Sequence, residues 1–275
     1  MTFKLALAQF SPCTHLHTAL EQNLQTHLRL MQAAHAQGVS LLVFPELSLS
    51  GYELAEAVRL AVTPTHPVLK HIQTLVDACH ISVIVGAPLF NEAAPEKPYI
   101  ASFLLRHHLP AQVYCKMHLH AGEDRFVSVG SETLLFELQG RRIGMAICAD
   151  ALYDSHAQHY ADLQADVYVA SVLITESGYA SDCAQLQHCA CQHGMLVAMA
   201  NYSGFSGGYM ATGKSCVFSP TGAFLGVAAT TTEMKAHGLT WQLLMLEHSQ
   251  GQWQSSVYPA LLPEPSNGHN QQTRF

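Results

Sequence analysis

The stretch RRIGMAICADALYD, residues 141–154, decides how this chain is read. Its apolar run, Ile143 to Ile147, stops on Cys148, and Asp150 stands two positions further on. A short apolar run bounded in this way reads as a buried strand. A cysteine that only filled the core would sit inside the run. Cys148 instead stands where the strand runs out, at the rim of a sheet, and that placement points to chemistry.

The chain has 275 residues, 49% hydrophobic and 12% charged. That suits one large α/β domain with a sizeable core and gives too little polar bias for disorder. A formal net charge of −7 argues against a nucleic-acid or anionic-membrane surface as main partner, since either needs clustered Lys and Arg. No segment approaches the roughly 18–20 consecutive apolar residues of a membrane span. The opening MTFKLALAQFSP is expected to be a first strand, because it lacks the basic start, long apolar segment and cleavage site of a secretory leader. The eight cysteines are then expected to remain free thiols in a reducing cytoplasm.

Periodicity supplies the other elements. KLALAQF, VSLLVFPE and ISVIVGAP read as strands, separated by helices over TALEQNLQTHLRLMQAAHAQG and HPVLKHIQTLVDACH. Gly38 is the expected stop of the first helix, and a proline stands in the first turn of the second. YIASFLLR with PAQVYCK, and ETLLFELQG with RRIGMAIC, look like antiparallel pairs. A helix over HAQHYADLQ, a strand ADVYVASVLI, a helix over DCAQLQHCACQHG and a strand MLVAMAN follow. GKSCVFSPTGAFLGVA reads as two strands around a Pro-Thr-Gly turn. Interspersed hairpins predict mixed sheets. Residues 1–260 are expected to form a single domain, with 261–275 as a loosely held tail or subunit contact.

Three strand ends carry reactive groups. Glu46 follows the buried run Leu41–Phe44, with Pro45 breaking the ladder; Lys116 ends AQVYCK; Cys148 ends IGMAIC. Singly, these are a turn carboxylate, a surface ammonium and a core thiol. If the strands are neighbours running the same way, the three meet at one rim of a sheet. A free thiol with pKa about 8.5 is mostly protonated at neutral pH, so a carboxylate that takes its proton makes it a nucleophile. A fixed ammonium and the backbone N–H after the cysteine would stabilise a tetrahedral oxyanion. Such a trio suits acyl transfer through a thioester, without metal or organic cofactor.

LLVFPELSLSGYE, YCKMHLHAGEDRFVSVG and RRIGMAICAD, in this order, resemble the nitrilase superfamily of carbon–nitrogen hydrolases, from LALAQFSP to about SPTGAFLGVA. The resemblance implies a four-layer α-β-β-α sandwich with two mixed β-sheets, paired through helical faces into at least a homodimer. It implies Glu46 as general base, Lys116 as oxyanion stabiliser, Cys148 as nucleophile and Glu123 as a supporting carboxylate. Tyr52, Ala149, Val172 and Leu173 are the expected substrate-binding residues; no cofactor and no metal is expected. The chain departs from the family pattern after the cysteine, where CADALYDS keeps Asp150 but lacks the usual Arg-aromatic-Pro-Glu run. It also departs at Cys115, at VASVLIT and at Gln192-His193. These changes leave the trio intact and weaken any transfer of substrate specificity.

The 18 histidines, in RHHLP, MHLH and HAQHY among others, invite a metal reading. His156 with His159 and Cys189 with His193 fall at helical spacing, yet no complete zinc pattern of two pairs is present. Cys183, Cys189 and Cys191 read as small apolar fillers, and GFSGGYMATG as tight turns near the site's rim. The expected substrate is a small amide. A small nitrile would use the same trio, and a non-catalytic redox or metal sensor on this fold is the alternative of another class.

Overall fold

The computed structural model describes residues 3–259, and the decisive stretch forms a strand, Arg141–Ile147, closed by a 3₁₀ turn over Cys148–Leu152. In chain order the first elements are β1 (Phe3–Phe10), α1 (Ala19–Ala36), β2 (Leu41–Val43), α2 (Ala57–Leu60) and α3 (Pro67–Cys79). Then come β3 (Ser82–Leu89), β4 (Tyr99–Leu105), β5 (Gln112–Cys115), β6 (Leu135–Leu138), β7 (Arg141–Ile147), α4 (Asp154–Asp162) and β8 (Val167–Val172). The rest are α5 (Glu176–His193), β9 (Leu196–Asn201), β10 (Ser203–Ser206), β11 (Tyr209–Thr212), β12 (Cys216–Phe218), β13 (Phe224–Val227), α6 (Thr231–Ala236), β14 (Trp241–Ser249) and β15 (Gln252–Tyr258). The tail expected over 261–275 lies outside the described residues.

Seven strands form one sheet in the order β15-β14-β1-β2-β3-β4-β5, and six form another in the order β13-β12-β9-β8-β7-β6; β10 and β11 make a separate hairpin. Both large sheets are mixed. β1, β2 and β3 run parallel, as do β7, β8 and β9, while the flanking pairs are antiparallel.

Side-chain alternation builds the layers. In β1, Leu5 and Leu7 join the core shared with Ile143, Met145 and Val169 of the second sheet. Ala6, Ala8 and Phe10 face the other way, onto Leu30 and Met31 of α1 and Leu69 and Ile72 of α3. On the far side, Ala157 and Tyr160 of α4 and Leu186 and Cys189 of α5 cover the second sheet. The result is the α-β-β-α order. Strands covered on both faces have no polar side to show, which is why ADVYVASVLI is nearly continuous apolar sequence. Burial of Leu69, Ile72 and Val76 holds α3 down, at about 1.5–3 kcal/mol per side chain.

The structure corrects one expectation: the three reactive strand ends do not share a sheet. β2 and β5 belong to the seven-stranded sheet, separated by β3 and β4, and β7 belongs to the other. The groups converge because the two sheets stack. Ser171 of β8 donates its hydroxyl proton to Phe44 O at 2.7 Å, a buried bond tying the sheets beside Glu46. Three smaller differences concern helices and strands. α5 starts at Glu176, six positions before the expected DCAQ segment; GFSGGYMATG contains the β10–β11 hairpin; and β14, paired along β1, had not been anticipated.

The turn after β2 depends on a missing Cβ. Leu49 N–H donates to Gly86 O at 2.8 Å, and Gly86 N–H donates to Ser48 Oγ at 3.0 Å. A Cβ at Gly86 would stand 2.3 Å from Leu47 N. Gly86→Ala is therefore expected to destabilise the fold by about 1–3 kcal/mol, as overpacking against backbone does. Urea unfolding of the variant measures this, and a change within about 0.5 kcal/mol would show that the turn is not held by this approach.

Candidate active site

Each reactive group is delivered by a strand that has just lost its ladder. Phe44 N–H still bonds Ile84 O at 2.9 Å; Pro45 has no N–H to continue, and Glu46 follows. Lys116 N–H bonds Ile100 O at 2.9 Å, and Lys116 O accepts from Gly130 N–H at 2.8 Å. Cys148 takes a left-handed φ of 46°, rare for a residue with a Cβ, and turns the chain out of β7. Such strain persists where surrounding bonds over-determine it.

Asp150 supplies those bonds. One carboxylate oxygen accepts from the N–H groups of Met117 and His118, at 3.1 and 2.8 Å, and from His118 Nδ1 at 3.0 Å. The other accepts from Ile147 N–H at 3.0 Å and Tyr114 OH at 2.6 Å. One buried side chain thus fastens the loop after Lys116 to the turn that carries Cys148.

Lys116 and Glu46 are fully buried, Glu123 is 3% exposed and Cys148 is 8% exposed. Lys116 Nζ donates to Glu46 Oε1 at 2.8 Å and to Glu123 Oε1 at 2.7 Å. Glu123 Oε1 also accepts from Tyr52 OH, and its Oε2 from His120 N–H at 2.7 Å. Glu46 Oε2 is buried without a hydrogen bond. The nearby Cys148 thiol is only a minor influence on that carboxylate, short of a full hydrogen bond. His120 Nε2 lies 3.3 Å from Cys148 Sγ, and Leu173 O lies 4.0 Å from it on another side.

The electrostatics follow from burial. Loss of hydration pushes the Glu46 carboxyl up to about 7, against the opposing pull of Lys116. Burial pushes the Cys148 thiol well above the usual range, with Glu46 adding to the shift and Lys116 opposing it. For Lys116, burial disfavours the charge, but Glu46, Cys148 and Glu123 together outweigh it and raise the pKa. Burial first, then Lys116, lowers the pKa of His120. At rest, therefore, the sulfur is a thiol, the ammonium is charged, and a carboxylate poised near neutrality stands beside them.

A cavity of about 700 Å³ opens onto Cys148. Glu46, Glu123, Tyr52 and Leu173 line it, as do His120, Phe126, Ile174 and Asp182. Ala149 and Val172 do not: both are buried, Ala149 in the 3₁₀ turn and Val172 within the core. Of the segment after Val172, Leu173 lines the cavity as expected, and Ile174 joins it. Asn201 fixes that segment: its side chain accepts from Ile174 N–H at 2.9 Å and donates to Ile174 O at 3.1 Å and Gly213 O at 2.8 Å. The residue that sequence reasoning missed most plainly is His120. It lies inside a quoted motif, between Lys116 and Glu123, but was counted among the histidines that invite a metal.

The paired histidines and cysteines of the helices have ordinary partners. His156 bonds the hydroxyls of Tyr114 and Tyr168, and His193 bonds Asp154. Cys189 is buried and Cys183 half-buried, as small fillers should be, whereas Cys191 is exposed.

Comparison with known proteins agrees with the geometry. The Carbon-nitrogen hydrolase family model matches residues 4–239. A Pseudomonas protegens protein named "Hydrolase in pqqF 5'region" is 27% identical over 96% of this chain and 92% of its own length. An (R)-stereoselective amidase from a Pseudomonas species is 30% identical over half of each chain. The glutamine-dependent NAD(+) synthetase of Acinetobacter baylyi is 31% identical over 54% of this chain, which spans only 27% of that longer protein. Among solved structures, an amidase from Nesterenkonia sp. AN1 superposes with a TM-score of 0.77, covering 91% of this chain and 92% of its own, at 20% identity. One solved form of that amidase shows the acetamide moiety of fluoroacetamide added covalently at the active site cysteine. With the family model spanning most of its length, the chain belongs to the carbon-nitrogen hydrolase family.

Proposed function

We propose that this carbon–nitrogen hydrolase cleaves a small amide through a thioester on Cys148. The observation that carries the reading is Lys116 held between Glu46 and Glu123, with the Cys148 thiol beside them and a cavity above. An ammonium has three N–H donors. Two are engaged by the carboxylates, leaving the third for an oxygen that becomes negative.

Cys148 Sγ attacks the amide carbon while its proton passes to Glu46, and the carbonyl electron pair moves onto oxygen. Lys116 stabilises that oxyanion, a contribution that matters most once charge has developed. The tetrahedral species collapses, the C–N bond breaks, and Glu46 returns the proton to the departing amine. Water then enters, and Glu46 accepts its proton as it attacks the thioester carbon. The C–S bond breaks on collapse, Glu46 returns the proton to sulfur, and the carboxylic acid departs with the thiol regenerated. Because the resting thiol is held protonated, the base must act during attack, not before it.

Glu123 serves as a positioning residue, orienting Lys116, the His120 backbone and Tyr52. Leu173, Ile174 and Phe126 give the cavity apolar walls suited to a small acyl group. The similarity to amidases supports amide over nitrile as substrate. A reducing cytoplasm is part of the same reading, since the thiol must stay reduced; so is a homodimer, for which the exposed Leu152, Tyr153 and Leu163 around α4 offer an apolar face.

Two measurements test this. Glu46→Gln is expected to leave the fold intact and lower turnover by about 10²–10⁴, read as ammonia release from a screen of short amides with the Cys148→Ala variant as blank. Near-normal turnover would remove Glu46 as the base. The pH profile gives a second check. Glu46 must be ionised to accept a proton, so its raised pKa predicts that kcat/KM climbs with pH and levels above about 7. A profile flat from pH 5 to 8 (about two units below to one above that value) would contradict the assignment.

A further inference from the structure

The histidine pair of RHHLP lies outside the catalytic cavity and has no part in the reaction above. It sits in the turn between β4 and β5, against Asp77 in the last turn of α3. His107 Nδ1 lies 3.7 Å and His108 Nδ1 3.6 Å from the same oxygen, Asp77 Oδ1. The three residues' donor atoms all fall within 4.8 Å of one another.

Two adjacent residues in extended chain point to opposite sides. Both rings reach one carboxylate because His108 takes a left-handed φ of 53°, which folds the second ring back. The rings then lie 3.8 Å apart, centroid to centroid. The carboxylate itself is fixed: Asp77 Oδ1 accepts from His108 N–H at 2.8 Å and from Gln73 Nε2 at 2.8 Å, and Gln73 also donates to Arg106 O at 3.0 Å. An outer partner that aims a ligand is the usual support of a metal site. His107 Nδ1 has no hydrogen-bond partner, although its side chain as a whole is 34% exposed. A second left-handed residue, His80, ends α3 and brings a further ring to 4.0 Å from His107.

We propose that Asp77, His107 and His108 bind a divalent transition-metal ion of the zinc class, clipping the end of α3 to the β4–β5 turn. Metal–ligand bonds of about 2.0–2.1 Å in a tetrahedron set ligand atoms about 3.3–3.4 Å apart. The three donor atoms lie within 4.8 Å of one another, so the half-buried His107 ring, the exposed His108 ring and the Asp77 carboxylate must each shift by several tenths of an ångström to close on an ion. Two imidazoles and a carboxylate select zinc, cobalt, nickel or copper over calcium and magnesium, which take mostly oxygen. A fourth position remains for water or for another ring such as His80. The clip closes the hairpin whose second strand runs directly into Lys116. A search for paired zinc motifs misses it, because the ligands come from one helix and one distant turn.

The test is equilibrium dialysis of the metal-free protein against Zn²⁺, with Co²⁺ as a coloured substitute, for four proteins: the native chain, Asp77→Asn, the double variant His107→Ala/His108→Ala, and Cys148→Ala. One ion in the micromolar range is expected for the native chain and for Cys148→Ala, which removes the catalytic thiol as a competing ligand. The Asp77 and double-histidine variants are expected to bind at least about tenfold more weakly. Zn²⁺ should raise the Tm of the native chain and not that of these two variants, whose metal-free Tm serves as the folding control. The proposal is overturned if the native chain takes up no ion in that range. It is equally overturned if the cluster variants keep the native affinity and thermal shift, or if binding disappears with Cys148→Ala instead.

Discussion

Everything at the site depends on a buried ammonium shared by two carboxylates. Stripping one charge of water costs several kcal/mol, and only close, well-aligned partners offset it. Lys116 has such partners at 2.8 and 2.7 Å. The arrangement is unbalanced: two carboxylates face one ammonium, and the less bonded of them is the one whose negative charge is less well stabilised. Glu123 accepts from Lys116, Tyr52 and His120, whereas Glu46 accepts from Lys116 alone and keeps one oxygen bare. The same lysine therefore meets two acids in different environments. The one that is poorly solvated and poorly bonded is held near neutrality, where a proton acceptor is most useful.

That cluster would be worthless without the second sheet. Lys116 and Glu46 come from one sheet and Cys148 from the other, so their registration depends on groups that cross the gap. Asp150 binds both the chain after Lys116 and the strand before Cys148; Ser171 ties the second sheet to the chain just ahead of Glu46. Neither residue touches the cavity, yet both set the distance between base and nucleophile. Asn201 does the same for the opposite wall. Asp150, Ser171 and Asn201 thus place buried polar groups where the two halves must meet in one register.

Much of this was legible in the sequence because the reactive residues break strong patterns. Glu46 follows a proline after a buried run, and Cys148 ends one, so each announces a strand terminus. Strand neighbours are a tertiary fact, however, and nothing in the local pattern of β2, β5 and β7 distinguishes one sheet from two. Tyr52 and Leu173 line the cavity as expected, but Val172 was misplaced for a related reason. Strands alternate with period two, so a shift of one position moves a side chain from core to cavity; Val172 packs inward and Leu173 faces the cavity. β14 escaped notice because WQLLML carries no β-branched residue and fits a helix as well as a strand. His120 was hidden by abundance: in a chain with 18 histidines, one beside a thiol carries no mark of its own.

The convergence of Glu46, Lys116 and Cys148 on one substrate oxygen can be tested by trapping. An acyl-enzyme formed from a reactive ester or amide in the Glu46→Gln variant, where deacylation lacks its base, can be crystallised and its carbonyl oxygen located. The adduct is expected on Cys148 Sγ with that oxygen about 3 Å from Lys116 Nζ, on the side away from Glu123. An adduct whose carbonyl oxygen points elsewhere, with Lys116 still bound only to carboxylates, would contradict it.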